Sequence, residues 1–290
     1  MDIKSFRYFN TVFEERNIRE AAKILFISPQ GLGKIIKTLE DEFDTTFFVR
    51  TKSGMIPTES AVAFYKWSKN FTDSMAIIHD KIKDIDNTHL SLRIAIANGA
   101  AKAFKMKTLM DIFSYDDQVL VQMFEYENRE LIEKLISSKV DFGLTIGKID
   151  DNRIEQELVM KLPLGILVYK GHRLYEKESI EISDLRNEGM ISMNENFRIY
   201  HHLKDACLAE GFEPYIKLVA ADGETLNRFC EEKLGLAFSP EFPELEIKDT
   251  KFVPFKNEGL TWDIYSTWLR EKRDMTVIKA ARKYFEENKL

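Results

Sequence analysis

The chain has few cysteines and lacks the long apolar segments of membrane proteins. Its 290 residues include only two cysteines, Cys207 and Cys230, and no Cys-x-x-Cys pair, which argues against a disulfide framework and favours a reducing compartment. No run of roughly 18 apolar residues is present, so we expect no transmembrane helix. The first residues lack the apolar segment of a secretory signal, and we therefore expect a cytoplasmic protein without a membrane partner.

The chain also lacks the excess of basic residues that is typical of proteins that bind nucleic acids. Its formal net charge is −6, and residues 1–60 contain nine Lys or Arg and nine Asp or Glu. Charge alone therefore argues weakly against DNA binding. Any surface that binds phosphate must be local, and the cations available for it are Lys34, Lys37, Arg50 and Lys52.

Motifs of common enzyme classes are absent as well. The sequence contains no HExxH, no GxSxG and no phosphate-binding loop. His201 and His202 are the only adjacent histidines, and neighbours on a helix point to different sides, so they seldom share a metal ion. Cys207 and Cys230 lie in apolar-patterned segments and are interpreted as buried thiols. We therefore expect a protein that is not an enzyme and that uses neither a metal nor a cofactor.

Residues 28–40 predict an amphipathic helix with a well-defined start. Ser28 is a suitable N-cap, and Pro29 falls at the first helical position, where its missing N–H costs nothing. The predicted buried face consists of Leu32, Ile35, Ile36, Leu39 and Phe43. Gln30, Lys34 and Lys37 lie off that face. A helix of this kind can enter the major groove of DNA, although amphipathic helices with a solvated lysine face are also common elsewhere.

The flanking residues complete the pattern of a winged helix-turn-helix. Residues 2–15 have apolar side chains at helical spacing, and Asn17 with Glu20 resembles a capping box at the start of a short second helix. Residues 45–50 are rich in β-formers, residues 51–54 are turn-like, and residues 55–57 lead out of the turn. The sequence therefore predicts a helix-turn-helix followed by a two-stranded wing within residues 1–60.

A long helix is predicted from about residue 58 to residue 85. Its apolar residues recur with a spacing near seven, as in helices that pack against a partner helix. These residues are Phe64, Trp67, Phe71, Met75, Ile78, Ile82 and Ile85. We expect them to mediate dimerisation, and packing against the chain's own core is the alternative. The polar residues 86–89 predict a hinge, so the linker with its hinge spans residues 58–87.

From about residue 90, predicted strands alternate with predicted helices. The strands are expected at 92–97, 119–126, 142–146, 164–169, 190–193, 236–240 and 264–269, and the helices at 102–113, 130–137, 200–210, 224–233 and 275–287. This alternation predicts an α/β region with a largely parallel sheet. Ligands of such sheets bind just beyond the carboxyl ends of the strands.

A family resemblance rests on residues that occur in a fixed order in the first 60 positions. They are Ala21-Ala22, Leu25, Ser28, Leu32, Ile36, Leu39-Glu40, Phe48, Arg50 and Thr58-Glu59. In this order they resemble the LysR-type transcriptional regulators, and weaker similarity continues in LRIAIA and LGLAFSP. The resemblance implies a mixed fold, with an N-terminal all-α winged helix-turn-helix and a long linker helix. An α/β effector domain would follow at 90–290, two-lobed like a periplasmic binding protein, with lobe I at about 90–160 and 266–290 and lobe II at about 161–265.

The resemblance further implies a homodimeric transcription factor that binds an inverted repeat in double-stranded DNA. Gln30 and Lys34 would contact base edges, and phosphates would be held by Ser28, Lys37, Arg50 and Lys52. A dimer of dimers is usual in the family, and RNA polymerase is an open further partner. Where relatives have a polar residue, a serine and an arginine, this chain has Pro29, Gly33 and Ser53, so the sequence preference of relatives cannot be transferred.

The same resemblance implies a cleft in the C-terminal domain for a small-molecule effector whose identity stays open. The cleft residues expected at strand ends are Asn98, Gly99, Ala100, Thr145, Ser192, Met193 and Ser239. The amides of Asn98-Gly99 could hold an anion, although an ordinary turn is equally compatible. Many relatives have Ser or Thr where Ala100 and Ala101 stand, which predicts a less polar or differently held ligand. The alternative is a DNA-binding dimer whose C-terminal domain binds another protein and no ligand.

Overall fold

The computed structural model describes residues 2–51, 54–85, 91–105, 107–108, 111, 119–243, 249–257 and 259–287. The chain divides into two compact units, Met1–Ile82 and Lys83–Leu290. The predicted phosphate contact Lys52 and the predicted hinge at 86–89 lie outside the described residues, as do residues 106, 109–110 and 112–113 of the helix predicted at 102–113.

The first unit begins with three helices whose starts are fixed by side-chain caps. They are α1 (Ile3–Glu15), α2 (Ile18–Ile24) and α3 (Pro29–Glu42). Asn17 accepts hydrogen bonds from the amides of Arg19 and Glu20, and Ser28 accepts one from Gly31 N at 3.0 Å. The predicted reciprocal bond from Glu20 is wrong, because this carboxylate pairs instead with Lys23 Nζ at 2.8 Å. The helix-turn-helix and its caps otherwise follow the sequence pattern.

The core of the first unit forms where the apolar faces of the three helices meet the wing. Leu32, Ile36 and Leu39 of α3 are buried together with residues of α1, α2 and both strands. The strands are β1 (Phe48–Thr51) and β2 (Gly54–Pro57), which pair antiparallel as the predicted wing. Phe43 was expected in the buried face but is 46% exposed, because it lies at the helix C-cap, although its ring contacts those of Phe47 and Phe64.

Gly54 ties the wing to the end of α1. Its φ is +133°, and a Cβ at this position would lie 2.5 Å from the carbonyl oxygen of Arg16. That same oxygen accepts a 2.7 Å hydrogen bond from Met55 N. Only glycine satisfies both the backbone angle and the close approach.

Gly54→Ala is therefore expected to destabilise the first unit. Backbone strain of this kind costs about 1–3 kcal/mol, and the contact with the Arg16 carbonyl adds to it. Urea unfolding followed by circular dichroism measures the loss. Gly33→Ala is the matched control, since Gly33 lies within α3 with its nearest neighbours at 3.5 Å, and it should gain roughly 0.5–1 kcal/mol. Equal effects of the two substitutions would contradict the role given to Gly54.

The long helix α4 (Glu59–Ile85) follows the wing directly. The hydroxyl of Thr58 caps its start by accepting from Ala61 N at 3.2 Å, and it donates to Thr46 O at 2.7 Å. Thr58 thus connects the beginning of α4 to the segment before β1. The observed bounds agree with the helix predicted from residue 58 to residue 85.

The second unit contains a sheet with helices packed against it. Its elements are β3 (Ser91–Ala97), β4 (Leu120–Tyr126), α5 (Asn128–Ile136), β5 (Phe142–Ile146), β6 (Ile154–Tyr169), β7 (Met190–Met193), α6 (Arg198–Ala209), β8 (Ile216–Ala220), α7 (Gly223–Glu231), β9 (Leu236–Pro240), β10 (Thr250–Pro254), β11 (Thr261–Leu269) and α8 (Thr276–Glu287). The strand order is β4-β3-β5-β11-β6-β9-β7-β8, and β10 also pairs with β6. The predicted alternation of strands and helices is present.

The prediction of a largely parallel sheet is wrong. Strand β3 is parallel to β4 and β5, and β7 is parallel to β8 and β9, but β6 and β11 run antiparallel to each of their partners. Three strand segments were not predicted from the sequence, namely β8, β10 and the first half of β6. Their sequences interleave charged residues with apolar ones in short runs, which weakens the strand signal.

Strand β6 connects two lobes within the second unit. Its residues 154–163 pair with β11, whereas residues 164–169 pair with β9 and β10. All of β11 thus belongs with the sheet of β3, β4 and β5. We propose lobe I as residues 91–163 and 261–287 and lobe II as residues 164–260. The boundaries expected from the sequence, 160 and 266, divide β11 between the lobes.

Candidate DNA-binding surface and effector cavity

The exposed side of α3 carries the side chains that were predicted to contact DNA. Ser28, Gln30 and Lys34 are exposed near the start of the helix. No ion pair of Lys34 is found among the described residues, whereas Lys37 Nζ lies 2.9 Å from an Asp41 carboxylate oxygen. The hydrogen bond and charge of Asp41 raise the pKa of Lys37. Lys34 is thus the cation of α3 whose charge has no described acidic neighbour, and Lys37 is partly neutralised.

Arg50, the arginine of the wing, lies alongside α3 at Gly33. Arg50, on β1, brings its Nη2 atom within 3.5 Å of the place that a Cβ on Gly33 would occupy. Arg50 is exposed and, like Lys34, has no ion pair among the residues that the structure describes. The guanidinium of Arg50 thus lies next to α3 at Gly33, so that helix and wing present one continuous surface.

The apolar residues of α4 divide into two sets. Phe64 packs inside its own unit, with its ring 4.6 Å from Phe9 and 4.7 Å from Phe47, centroid to centroid. Met75 is half-buried. The exposed stripe, a term used here for Trp67, Phe71, Ile78, Ile82 and Ile85, lies on one side of the helix. Its exposed fractions reach 74% at Trp67 and 80% at Ile85, so the described residues leave a long apolar surface uncovered.

A cavity of about 420 Å³ lies between the lobes of the second unit. Four predicted cleft residues line it, namely Asn98, Gly99, Met193 and Ser239. The other three do not. Ala100 is fully buried in a turn of 3₁₀ helix at Ala100–Ala103, and Ser192 is buried within β7.

The third residue absent from the lining, Thr145, is used for internal hydrogen bonding. Its hydroxyl lies 2.6 Å from the hydroxyl of Thr267 on β11, and Gln156 donates to it from Nε2 at 3.0 Å. Gln156 also accepts from the amide of Ile149 at 2.8 Å. This network joins β5, β6 and β11, so the strand-end position of Thr145 serves the sheet rather than the cavity.

The predicted anion site at Asn98-Gly99 is already satisfied from within the chain. Gly99 N donates to Glu125 Oε1 at 2.9 Å, and Asn98 N donates to the carbonyl oxygen of Tyr126 at 2.8 Å. An internal carboxylate therefore occupies the position that a ligand anion was expected to take. Glu125 itself lines the cavity, which gives this end of it negative charge.

Several lining residues were not predicted from the sequence. They are Lys102, Glu125, Ile146, Phe197, Arg198, Ile199, Ala221, Asp222, Gly223, Glu224, Leu226, Asn227, Phe238, Pro240, Phe242 and Trp262. Many lie at the start of a helix that follows a strand, as in α6 and α7. Their position beyond a strand end is the sequence feature that could have identified them as cavity residues. Phe242 and Trp262 form an edge-to-face pair with centroids 5.7 Å apart. Neither lies in a motif.

Arg198 is the cationic residue of α6 at the cavity. Its guanidinium packs against Gly147, where a Cβ would lie 2.6 Å from Cζ, and its Nη1 donates to Lys148 O at 3.4 Å. Gly147 has φ +72° at the end of β5 in lobe I, so the arginine reaches from lobe II across to lobe I. Substituents at Gly147 would displace it.

Two cysteines lie away from the cavity in the described part of the second unit. Cys207 and Cys230 are buried, as interpreted from the sequence, and burial raises the pKa of Cys207 to about 11 and that of Cys230 to about 12. Within the described ranges, no group of three or more His, Cys, Asp or Glu residues is arranged to hold a metal ion. Over the same ranges no helix is long and apolar enough to cross a membrane.

Both units match known families. Residues 3–62 match the bacterial regulatory helix-turn-helix protein, lysR family, and residues 86–289 match the LysR substrate binding domain. The uncharacterized HTH-type transcriptional regulator YwbI of Bacillus subtilis (strain 168) is 22% identical over 292 residues, a span that covers 100% of this chain and 96% of the relative.

Solved structures with the same fold include two full-length regulators. Full-length OxyR from Pseudomonas aeruginosa has a TM-score of 0.68 at 16% identity, with 100% of this chain and 98% of that chain covered. Full-length CbnR complexed with its target DNA has a TM-score of 0.67 at 16% identity, with coverage of 99% and 100%. The two family matches account for nearly all of the sequence on either side of α4. The chain belongs to the LysR family of DNA-binding transcriptional regulators, with a helix-turn-helix domain followed by an effector-binding domain.

Proposed function

We propose that the protein binds an inverted-repeat operator as a homodimer, and that a small molecule in the cavity of the effector domain modulates this binding. The proposed DNA-binding surface rests on one observation, the approach of the wing to α3, the helix that would enter the major groove. Arg50 lies beside α3 at Gly33, and the next residue is Lys34, which has no ion pair among the described residues. Gln30 and Lys34 would contact base edges, and Ser28, Arg50 and Lys52 would hold phosphates. Such a regulator would act in the cytoplasm.

The exposed stripe of α4 supports the proposed dimer. Its five residues lie along the helix from position 67 to position 85, a distance of roughly 27 Å at the helical rise of 1.5 Å per residue. Two such stripes packed together would bury apolar surface that single chains leave in water. A dimer formed in this way carries two recognition helices, which matches the two-fold symmetry of an inverted repeat.

The cavity supports the proposed effector site. At about 420 Å³ it falls in the range of small-molecule pockets, roughly 300–1,000 Å³, and both lobes line it. A ligand that contacts both lobes binds more tightly to one arrangement of the lobes than to another. Any such difference in affinity shifts the population of the arrangements, which is how a ligand in this domain would alter DNA binding.

Lys34→Ala and Lys37→Ala are the matched variants that test the DNA-binding surface. We expect Lys34→Ala to weaken binding to a preferred duplex by about 1–3 kcal/mol and to reduce the preference for that duplex over a scrambled one. Lys37→Ala should have a smaller effect on both duplexes, because Asp41 already neutralises part of its charge. Fluorescence anisotropy at fixed salt measures the affinities. A larger loss for Lys37→Ala would contradict the assignment.

A further inference from the structure

The cavity of the effector domain is lined by charged side chains of both signs. Lys102 and Arg198 are basic, whereas Glu125, Asp222 and Glu224 are acidic. Lys102 Nζ lies 3.5 Å from the Cβ position of Gly223, the residue after Asp222. The pKa of Asp222 is lowered chiefly by its hydrogen bonds to Thr225, and the charge of Lys102 contributes. The two oxygens of Asp222 accept from the amide and the hydroxyl of Thr225 and cap α7. Asp222 is therefore used by the start of α7, and Lys102 lies close to this helix start.

Glu125 makes its end of the cavity unsuitable for the anionic group of a ligand. Its carboxylate already occupies the Gly99 amide at 2.9 Å, and a second carboxylate placed there would be repelled. The neighbouring Ala100 and Ala101 supply no hydroxyl donors. A ligand ammonium group, in contrast, would gain a charge-assisted hydrogen bond from the carboxylate of Glu125.

Arg198 offers the opposite charge from lobe II. The contact with Gly147 and the bond to Lys148 O hold its guanidinium in place, and this bond uses one of five N–H donors. Arg198 is also the first residue of α6, where the helix dipole adds positive potential. A ligand carboxylate would be held here by a planar donor group that needs little reorganisation.

Besides the carboxylate of Glu224 and the polar side chains of Asn98, Asn227 and Ser239, the rest of the lining is mostly apolar and partly aromatic. It includes Ile146, Met193, Phe197, Leu226, Phe238 and the Phe242–Trp262 pair. Surfaces of this kind bind a compact apolar body rather than a sugar or a polyphosphate, which would leave many polar groups unpaired.

We infer that the effector is a small zwitterion with an apolar body, of the class of the apolar and aromatic α-amino acids. Glu125 in lobe I binds its ammonium group, Arg198 in lobe II binds its carboxylate, and the apolar lining encloses its side chain. The inference rests on the proposed effector function and names the ligand chemistry of that same cavity. Because the ligand would contact Glu125 of lobe I and Arg198 of lobe II, binding would favour the arrangement of the lobes in which Arg198 lies against Gly147 and Lys148.

Thermal unfolding of the full chain with matched compounds tests this inference. L-phenylalanine is compared with hydrocinnamate and phenethylamine, which lack its ammonium and its carboxylate respectively. L-leucine is compared with isocaproate and isoamylamine in the same way, and the other apolar amino acids complete the panel. We expect at least one amino acid to raise the melting temperature in a saturable manner, and its single-charge analogues to raise it much less.

Two variants test which residue binds the ammonium group of the ligand and which binds its carboxylate. Glu125→Gln retains an acceptor for Gly99 N but removes the negative charge, and Arg198→Met removes the cation; each should weaken amino-acid binding by about tenfold or more. Glu127→Gln and Arg228→Met are the controls, since both residues are exposed and do not line the cavity. Circular dichroism confirms that each variant folds.

The outcomes separate this inference from the effector function itself. Stabilisation by hydrocinnamate or isocaproate equal to that by the amino acid would overturn the zwitterion, while the cavity would stand as an effector site. Unchanged binding in Glu125→Gln, or no shift with any compound of the panel, would also overturn it. Binding of an amino acid that leaves the affinity for DNA unaltered would support the ligand class and contradict the proposed regulation.

Discussion

Lys272→Met is expected to lower the free energy of unfolding of the effector domain by about 3–5 kcal/mol. Lys272 has no exposed surface, and its Nζ lies 3.0 Å from Asp141 Oδ1. Asp141, itself 3% exposed, also accepts from Nε and Nη2 of Arg93 at 2.8 and 2.7 Å. The three residues join β3, the start of β5 and the turn after β11. Removal of Lys272 leaves a buried carboxylate with only one of its two cationic partners.

The measurement is urea unfolding followed by tryptophan fluorescence, which reports Trp262 and Trp268 in this domain. Lys279→Met is the matched control, because Lys279 is paired with Asp274 at 3.4 Å but both side chains are well exposed. Surface pairs of this kind contribute little, and the control should change stability by less than about 0.5 kcal/mol. Equal losses in the two variants would show that burial of the pair does not determine its contribution.

The same network predicts how the effect of Lys272→Met depends on pH. Burial opposes ionisation of Asp141, but hydrogen bonds from Arg93 and the charges of Lys272 and Arg93 outweigh it, so its pKa is lowered from 3.8. A lowered pKa stabilises the folded state above the unfolded value, and this contribution is lost as the pH falls through the native pKa. The stability difference between the wild type and Lys272→Met should therefore be full at neutral pH and narrow below 3.8.

Ile78→Asp is expected to convert the proposed dimer into monomers. Ile78 is 49% exposed and lies at the centre of the exposed stripe of α4. In a two-fold interface the substitution occurs twice, and an unpaired charge buried at each site costs about 3–5 kcal/mol, which corresponds to more than a hundredfold in the dissociation constant. Sedimentation velocity at micromolar concentration measures the change. Ile78 is a sharper probe than Phe71, whose ring lies 5.0 Å from that of Phe6 within the same unit.

Lys66→Asp is the control for Ile78→Asp. It introduces the same side chain on an exposed position of α4 that the helical spacing places away from the stripe. The control protein should sediment as the wild type does. A dimer that persists in Ile78→Asp, with α4 still helical by circular dichroism, would refute the stripe as the dimer interface.

The sequence predicted the first unit closely because its signals are local. Ser28 and Pro29 mark the start of α3, Asn17 that of α2, and the spacing of apolar residues sets the bounds of α4. Cap residues and helical periodicity act within a few positions of the chain. Phe64 was predicted in the dimer surface because periodicity identifies the residues that share a helix face but not the residues that cover that face. The side chain of Phe64 is covered by the rings of Phe9 and Phe47 of its own unit.

The cavity was predicted only in part because its residues meet through non-local pairing. The rule that ligands bind beyond strand ends correctly predicted Asn98 and Ser239 as lining residues. Thr145 fits the same rule, yet its hydroxyl bonds to Thr267 across a strand pair that no local pattern reveals. Glu125 follows alternation in a strand and gives no sign that its carboxylate holds Gly99 N. Such contacts depend on the register of antiparallel and parallel neighbours, which the sequence left open.

Selection of binding sites from random duplex DNA by the purified full-length protein tests the central proposal most directly. At near-physiological salt we expect enrichment of an inverted repeat whose half-sites are separated by about one helical turn, roughly 34–36 Å, and weaker enrichment with Lys34→Ala. Such a result would support dimerisation through the exposed stripe of α4. It would also support DNA contacts by the exposed side of α3 and by Arg50 of the wing. Recovery of single half-sites, or of no preferred sequence with or without the amino acids of the panel, would contradict the proposed dimeric recognition of an operator.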